Sequence, residues 1–188
     1  PSGEAEEATP VPESRRPVSA DWDVNREVVT EDKVRWAINS FAPFKSPGLD
    51  GVLPCLMQRA LDILITPLIN IFRTSLAKGF IPTAWRSARV VFIPKPGRNS
   101  YAQAKAFRPI SLTSFFMKTL ERLLDRYLRD GALKLRPLHP NQHAYQTGKS
   151  VETALHQLIR RVEKGLNHKE FALGAFMDIE GAFENTSL

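Results

Sequence analysis

The acidic side chain in the most unusual setting is Asp178, which directly follows the apolar run from Phe171 to Met177. An ionised carboxylate at the end of a buried strand is costly unless a cation meets it. That cation is either a lysine or arginine side chain or a metal ion. Glu180 shares a strand face with Asp178 if the strand extends that far, and Mg²⁺ takes oxygen ligands of this kind. On this pattern alone, a structural ion pair and a metal site remain equal alternatives.

Two cations stand beside prolines at the margins of apolar segments. Lys95 lies between Pro94 and Pro96 after the run ARVVFI, and Arg108 precedes a proline in FRPISL. Because proline fixes φ, the flanking prolines restrict the backbone and direct the lysine away from the strand end. A point charge and a planar fork together suit a ligand with several phosphates. The alternative, which the local sequence favours, is two solvent-exposed cations near turns.

The other reactive residue types give weaker patterns. His139 and His143 are four apart, but Pro140 interrupts the helix that would align them for zinc, so loop or surface histidines are favoured. Cys55 is the single cysteine, which excludes an intrachain disulfide and indicates a reducing, intracellular compartment. Neither a nucleophile elbow nor a Walker-type glycine loop is present. Hydrolase chemistry and P-loop chemistry therefore have no support.

Composition limits the class of protein. The chain has 188 residues, 43% hydrophobic and 24% charged, as is ordinary for a soluble globular domain. Its net charge of +6 favours a polyanionic partner without proving one. The apolar runs are shorter than the roughly 20 residues of a membrane span. We therefore expect no membrane association.

These residues need elements to position them, and the first predicted elements are helices. Residues 1–28 hold several prolines and acids and predict a disordered linker arm before a domain over residues 29–188. Thr30 is a helix N-cap, and that helix ends before Pro43. A second helical region runs from Leu56 to Lys78, ends at a glycine C-cap, and is expected to kink or break near Pro67.

The second half predicts two strands and two more helices. ARVVFI is a short buried strand closed by a proline. Ser114 caps one helix and Ser150 another, whose inward face is Ala154, Leu155, Leu158, Ile159 and Val162. FALGAFMDI is a final strand, apolar on both faces and therefore central in its sheet. The fold class is α/β (or α+β) and mostly helical, with few strands.

Five segments, in this order, resemble the reverse transcriptases of non-LTR (LINE-type) retrotransposons, particularly the jockey-like branch. The resemblance covers about residues 30–188. The segments are KSPGLDGV (45–52), IPTAWRSARVVFIPKPG (81–97), FRPISLTSFFMKTLERLL (107–124), HPNQHAYQTGKSVETAL (139–155) and FMDIEGAFENTS (176–187).

This resemblance implies a right-hand polymerase, of which the fingers and a partial palm are present, truncated after the first catalytic palm strand. The implied activity is RNA-directed DNA polymerisation by two-metal nucleotidyl transfer, with an RNA template, a DNA primer and dNTP as partners. The remaining palm, the thumb and the endonuclease domain of the full-length protein are implied as further partners. A nuclear location is implied as well.

The resemblance also implies roles for individual residues. Asp178 matches the first metal-binding aspartate of the palm, which ligates two Mg²⁺ ions. Lys95 and Arg108 match the fingers residues that clamp the incoming triphosphate. Phe183 matches the aromatic steric gate under the sugar. Gln142 belongs to a stretch that resembles the lining of the template and nucleotide pocket.

Two departures from the family pattern bear on activity. Glu184 stands where the family has aspartate, and the paired aspartates of the second catalytic hairpin appear nowhere in the 188 residues. We therefore expect the isolated chain to be inactive. The alternatives are a non-catalytic nucleic-acid-binding module derived from a retrotransposon and a degenerate, poorly folded remnant.

Overall fold

The computed structural model describes residues 18–178, with only the backbone of Ala20. The chain divides into two compact units, residues 1–134 and 135–188, and each is described by itself. The described helices are α1 (Ser19–Val28), α2 (Glu31–Asn39), α3 (Pro54–Arg59), α4 (Leu61–Lys78), α5 (Thr83–Arg86), α6 (Phe115–Asp130), α7 (Ala132–Leu135) and α8 (Val151–Asn167). The strands are β1 (Arg89–Pro94) and β2 (Phe107–Leu112).

Helices α1, α2, α4 and α6 pack together around the core of the first unit. The apolar residues of each helix recur at helical spacing, so every helix presents one stripe to this core. Partly buried aromatic residues pack against this core: Trp85 contacts the rings of the buried Phe72 and the partly buried Phe116 at centroid distances of 5.6 and 5.9 Å. The buried members include Val28, Val29, Val34, Ala37, Ile38, Met57, Leu61, Ile65, Leu68, Phe72, Phe115, Leu120 and Leu123.

The prediction of a linker arm is wrong for α1. This helix buries Val28 at 2% exposure and contacts α4 and α6. The guanidinium of Arg73 on α4 donates two hydrogen bonds, of 3.0 and 2.7 Å, to the carbonyl of Val29. Tertiary packing therefore orders a segment whose composition alone is polar, as packing commonly does for marginal helices. Residues 1–17 of the predicted arm lie outside the described residues.

Of the kink or break predicted near Pro67, the break is wrong. The helical region divides at Ala60, and α4 runs unbroken through Pro67 to Lys78, where Gly79 caps it at φ 59° as predicted. Proline removes one hydrogen bond, to the carbonyl four residues earlier. That carbonyl belongs to Ile63, which is 83% exposed and therefore lies on the solvent-facing side of the helix. Buried residues on both sides of the proline keep the helix on the core.

Strands β1 and β2 form a two-stranded antiparallel sheet in which Arg89 pairs with Leu112 and Pro94 with Phe107. The described chain is thus mostly helical with a small sheet, as expected for the class. The expectation that β1 is buried is wrong, because all six of its residues are exposed. A two-stranded ribbon has no second layer of its own to cover its apolar side chains.

The described part of the second unit consists of a loop, α8 and an irregular end. Ser150 caps α8 as predicted, accepting a hydrogen bond from the Thr153 amide. The predicted inward face of α8 is not buried here, since Leu155 is 53% exposed and Ile159 51%. Residues 171–178 form no strand, contrary to the prediction. A strand needs a hydrogen-bonding neighbour, and the described residues of this unit offer none.

None of the helices in residues 18–178 is both long enough and apolar enough to span a membrane.

Candidate functional site

Lys95 is the residue directly after β1, and continuing the β1–β2 register by one residue places it opposite Ala106, on the face of the hairpin that carries Arg108. Ile93 stands opposite Arg108, and the Lys95 amide donates a 2.8 Å hydrogen bond to the carbonyl of Ala106. Residues opposite each other in a sheet share a face, as do residues two apart on one strand. Lys95 and Arg108 are therefore diagonal neighbours, with Cα atoms about 7–8 Å apart. This spacing lets both cations reach a single anionic ligand.

The backbone at Lys95 is held on both sides. Its amide is bonded to Ala106, and its carbonyl accepts a 2.9 Å hydrogen bond from the Tyr101 hydroxyl. Pro96 and Gly97 then turn the chain, with the glycine at φ 73°, a conformation that L residues rarely adopt. Pro96 favours the first position of such a turn because its φ is fixed. Only the side chain of Lys95 is left free to move.

The hairpin lies in a segment of the sequence whose charged residues are all positive. Residues 63–120 contain nine lysines and arginines and neither aspartate nor glutamate. Within the described chain, neither Lys95 nor Arg108 forms an ion pair or a side-chain hydrogen bond. Lys95 is half-buried and Arg108 exposed. The pair is thus available to an external anion and has no neighbouring carboxylate from its own segment to compete with it.

Other cations of the first unit are engaged in packing. On α6, Lys118 lies 4.3 Å from the ring centroid of Phe115, and Arg122 lies 3.8 Å from that of Phe41. Burial lowers the pKa of Lys118 and of Arg122 below the ordinary values, although Glu121 opposes this for the lysine. Cations held over rings in this way are already engaged in packing and are poorly placed to bind a ligand.

The loop that contains KSPGLDG fixes the junction between β2 and α6. A Cβ on Gly48 would lie 2.8 Å from the backbone of Thr113 and Ser114, so only glycine permits this approach. Asp50 accepts a hydrogen bond from the Ser114 hydroxyl, which also caps α6. The sequence predicted only a loop here. The available signal was the pair of glycines around an aspartate, which gives no information about the distant partner.

In the second unit, Gln142 lies in the loop before α8. The side-chain amide of Gln142 donates a hydrogen bond to the carbonyl of Ala144 at 3.3 Å. The backbone carbonyl of Gln142 accepts one from the Lys149 ammonium at 3.0 Å. His143 bonds the Thr153 hydroxyl at 2.9 Å and the Gln157 amide oxygen at 2.6 Å. These contacts pin the loop to the start of α8. In this structure His143 is a loop-anchoring residue.

Asp178 is exposed and makes no ion pair with another described residue. The structure brings Lys95 and Arg108 together in the first unit, whereas Gln142 and Asp178 belong to the second. Phe183, Glu180 and Glu184 lie outside the described residues, so their predicted roles stay predictions.

Among residues 18–178, no group of three or more His, Cys, Asp or Glu side chains is placed to hold a metal ion. A two-metal centre needs at least two carboxylates held close together. Asp178 alone does not fit such a centre.

Comparison with known proteins reveals relatives in mobile elements. The chain is 31% identical over 148 residues to the probable RNA-directed DNA polymerase from transposon BS of Drosophila melanogaster, across 79% of this chain and 16% of that protein. It is 28% identical over 156 residues to the RNA-directed DNA polymerase from mobile element jockey of the same organism, across 83% of this chain and 17% of that protein.

A third relative is the retrovirus-related Pol polyprotein from type-1 retrotransposable element R1 of Bradysia coprophila. It is 27% identical over 154 residues, across 82% of this chain and 15% of that protein. The chain thus spans about one sixth of the length of the curated relatives it matches. No protein-family model matches the sequence.

Proposed function

This chain belongs to the jockey-like reverse transcriptases of non-LTR retrotransposons, and we propose that Lys95 and Arg108 of its β1–β2 hairpin bind the incoming deoxynucleoside triphosphate. We call these two residues the cradle. The single observation that carries the proposal is the shared face of Lys95 and Arg108. In this proposal the first unit acts as polymerase fingers, and the segment that ends at Asp178 belongs to the palm.

The two cations have different roles in binding the triphosphate because their head groups differ. The Arg108 guanidinium is a planar fork that donates two parallel hydrogen bonds to phosphate oxygens. The Lys95 ammonium is a compact point charge that neutralises a second phosphate. Because the backbone at Lys95 is held by Ala106 and Tyr101, only the side chains have to be ordered on binding. Positive charges brought to the phosphates in this way stabilise the negative charge of a transferring phosphoryl group.

The lack of acidic residues in 63–120 supports the same assignment. A carboxylate near the cradle would repel the triphosphate and occupy the cations. The five cations of residues 89–112 instead attract a polyanion.

We assign to Asp178 the role of one carboxylate in a divalent-metal centre of which other residues must supply the rest. A divalent ion at such a centre assists the attack of the primer hydroxyl and the departure of pyrophosphate. Since the residues described here do not fit that centre by themselves, the proposal for this chain concerns binding and orientation. RNA template and DNA primer are the proposed macromolecular partners.

The test is equilibrium binding of a labelled deoxynucleoside triphosphate to the purified 188-residue chain in EDTA, so that divalent metal does not contribute. The paired variant Lys95→Ala/Arg108→Ala should weaken binding about tenfold or more, since hydrogen bonds to charged groups are the strong ones. Arg108→Lys keeps the charge but loses the fork, so it should weaken binding partly. The deoxynucleoside without phosphates should not bind.

The matched control is Arg59→Ala/Lys78→Ala, which removes the same charge from two exposed positions on α3 and α4. If the hairpin variant and the control variant lose the same affinity for the triphosphate, the cradle is refuted and only general electrostatic attraction remains.

The second candidate function is a non-catalytic nucleic-acid-binding module. The acid-free, cationic segment 63–120 favours it. It predicts that the chain binds RNA or DNA and that the logarithm of the binding constant falls linearly with the logarithm of the salt concentration. Binding of nucleic acid with no measurable preference for a triphosphate over a nucleoside would select this candidate over the cradle.

A further inference from the structure

A pocket lies between α1 and the C-terminal halves of α4 and α6, within the first unit. Its volume is about 390 Å³, and its apolar walls are formed by Val24, Val28, Leu76, Leu124 and Leu128. Small-molecule sites typically have volumes of roughly 300–1,000 Å³, mostly apolar walls and a few polar groups, and they occur between packed helices. The pocket therefore has room for a small ligand whose body is apolar.

The side chain of Asn25 also lines this pocket. The residue is 5% exposed, and its amide nitrogen is buried without a hydrogen-bond partner among the described residues. A buried N–H donor that lacks an acceptor costs free energy, which an acceptor recovers. The last torsion of an asparagine side chain is broad, so the amide can turn this nitrogen towards the pocket. Asn25 thus offers a donor to an acceptor supplied from outside the chain.

The remaining polar groups of the pocket decide which acceptor fits. Tyr127 lines it as well, and its hydroxyl makes no hydrogen bond with any residue in the part of the chain that the structure describes. Asp21 lines it too, but its carboxylate accepts a 2.9 Å hydrogen bond from the Val18 amide at the start of α1. Because the free donors are neutral and the charged group is an acid, the pocket favours a neutral acceptor over an anion.

We propose that this pocket binds a small neutral molecule with an apolar body and one carbonyl oxygen. A carbonyl oxygen has two lone pairs, so it accepts hydrogen bonds from both the Asn25 amide and the Tyr127 hydroxyl. The apolar body covers Val24 and Leu128, which are 45% and 52% exposed. A purely apolar molecule would leave the buried amide unpaired, so the oxygen is the specificity-determining group.

The experiment titrates the 188-residue chain with two probes of similar shape, acetophenone and ethylbenzene. Acetophenone carries the carbonyl oxygen, whereas ethylbenzene presents only the apolar body. Methyl NMR signals of valine and leucine report where each probe binds and with what affinity. We expect saturable shifts at Val24, Leu124 and Leu128, with the exposed Val151 of α8 unchanged.

Asn25→Leu separates the hydrogen bond from the apolar contact. Leucine resembles asparagine in shape but has no N–H group, so the ratio of acetophenone affinity to ethylbenzene affinity should fall about tenfold. The ethylbenzene affinity itself should stay within about twofold of the parent value. The urea midpoint of Asn25→Leu should be no lower than that of the parent chain, because the substitution removes an unpaired buried amide.

Tyr127→Phe tests the second donor. It keeps the ring and removes the hydroxyl, so the same affinity ratio should fall about threefold while ethylbenzene binding is retained.

Val24→Trp tests the location of the site. It places a large ring over the pocket and should abolish binding of both probes. The matched control is Ile63→Trp, which adds the same ring to α4 at a position that is 83% exposed and outside the pocket, and it should bind like the parent chain. Circular dichroism and urea midpoints show that each variant is folded.

Three results would overturn the proposal: no saturable binding of either probe, an affinity ratio that Asn25→Leu leaves unchanged, or equal binding by the two tryptophan variants. Failure of the triphosphate cradle is a separate result, because Lys95→Ala/Arg108→Ala changes no residue of this pocket.

Discussion

The carboxylate of Asp50 accepts a 2.6 Å hydrogen bond from the hydroxyl of Ser114, 64 residues further along the chain. The same carboxylate accepts from the Val52 amide at 3.1 Å, and the Ser114 oxygen caps α6 by accepting from Phe116. One acid therefore ties the KSPGLDG loop to the point where β2 passes into α6. Ser114 is 1% exposed, so its hydroxyl depends on this partner.

Removing the Asp50 carboxylate should destabilise the fold. We expect Asp50→Ala to lower the free energy of unfolding by about 2 kcal/mol, because a buried hydroxyl loses its charged acceptor. Asp50→Asn should cost less, since its amide oxygen still accepts a hydrogen bond. Urea unfolding followed by circular dichroism measures both. An Asp50→Ala chain as stable as the parent would show that the bond contributes nothing net.

Gly48 should tolerate alanine worse than Gly51 does. The added Cβ at Gly48 would lie 2.8 Å from the backbone of Thr113 and Ser114, which cannot move aside cheaply, so we expect a loss of about 3 kcal/mol. Gly51 has open space but φ 67°, so alanine there should cost about 1 kcal/mol of backbone strain. Urea midpoints in the reverse order would contradict the close approach at Gly48.

Arg73 should be required for the docking of α1. Its guanidinium donates two hydrogen bonds to the carbonyl of Val29, a residue with no exposed surface. Arg73→Ala leaves that carbonyl without a partner and should cost about 2 kcal/mol. The exposed Arg59→Ala is the control and should stay within about 0.5 kcal/mol of the parent. Faster proteolysis near residues 19–28 in Arg73→Ala alone would support this role.

Lys118 should make stability depend on pH in the alkaline range. Burial lowers its pKa in the folded state below the ordinary 10.5, with Glu121 and Asp50 opposing the shift. Between the folded and unfolded pKa values the unfolded chain binds more protons, so this group's contribution to stability rises with pH. Lys118→Met should therefore stabilise at neutral pH, and the gain should shrink as pH rises toward 10.5. Urea unfolding at several pH values, with the exposed Lys78→Met as control, tests the sign.

A polypeptide of these 188 residues should not extend a primer. A two-metal catalytic centre needs at least two carboxylates held close together. Among the described residues only Asp178 is assigned to such a centre, and the sequence contains no Asp-Asp pair. We expect incorporation at the background level on an annealed RNA template and DNA primer with Mg²⁺, beside an active reverse transcriptase as positive control. Templated incorporation that disappears in Asp178→Asn would contradict this expectation.

The sequence alone predicted the helix boundaries that depend on local chemistry. Thr30, Ser114 and Ser150 cap α2, α6 and α8, and Gly79 ends α4, because these side chains and conformations act on backbone groups a few residues away. It also selected Lys95 and Arg108, since neighbouring prolines restrict the backbone there. Their use of one ligand stays a prediction.

Only the tertiary structure decided what depends on contacts between distant residues. Packing partners that local patterns do not specify determine three features: the formation of α1, the continuity of α4 through Pro67 and the hydrogen bond from Ser114 to Asp50. The shared face of Lys95 and Arg108 likewise depends on the register of β1 against β2, where a slip of one residue would turn one cation to the opposite side. A local sequence pattern determines the backbone conformation of one segment. Burial and strand register depend on the free energy of packing and hydrogen bonding between two segments, which is gained only when both are in contact.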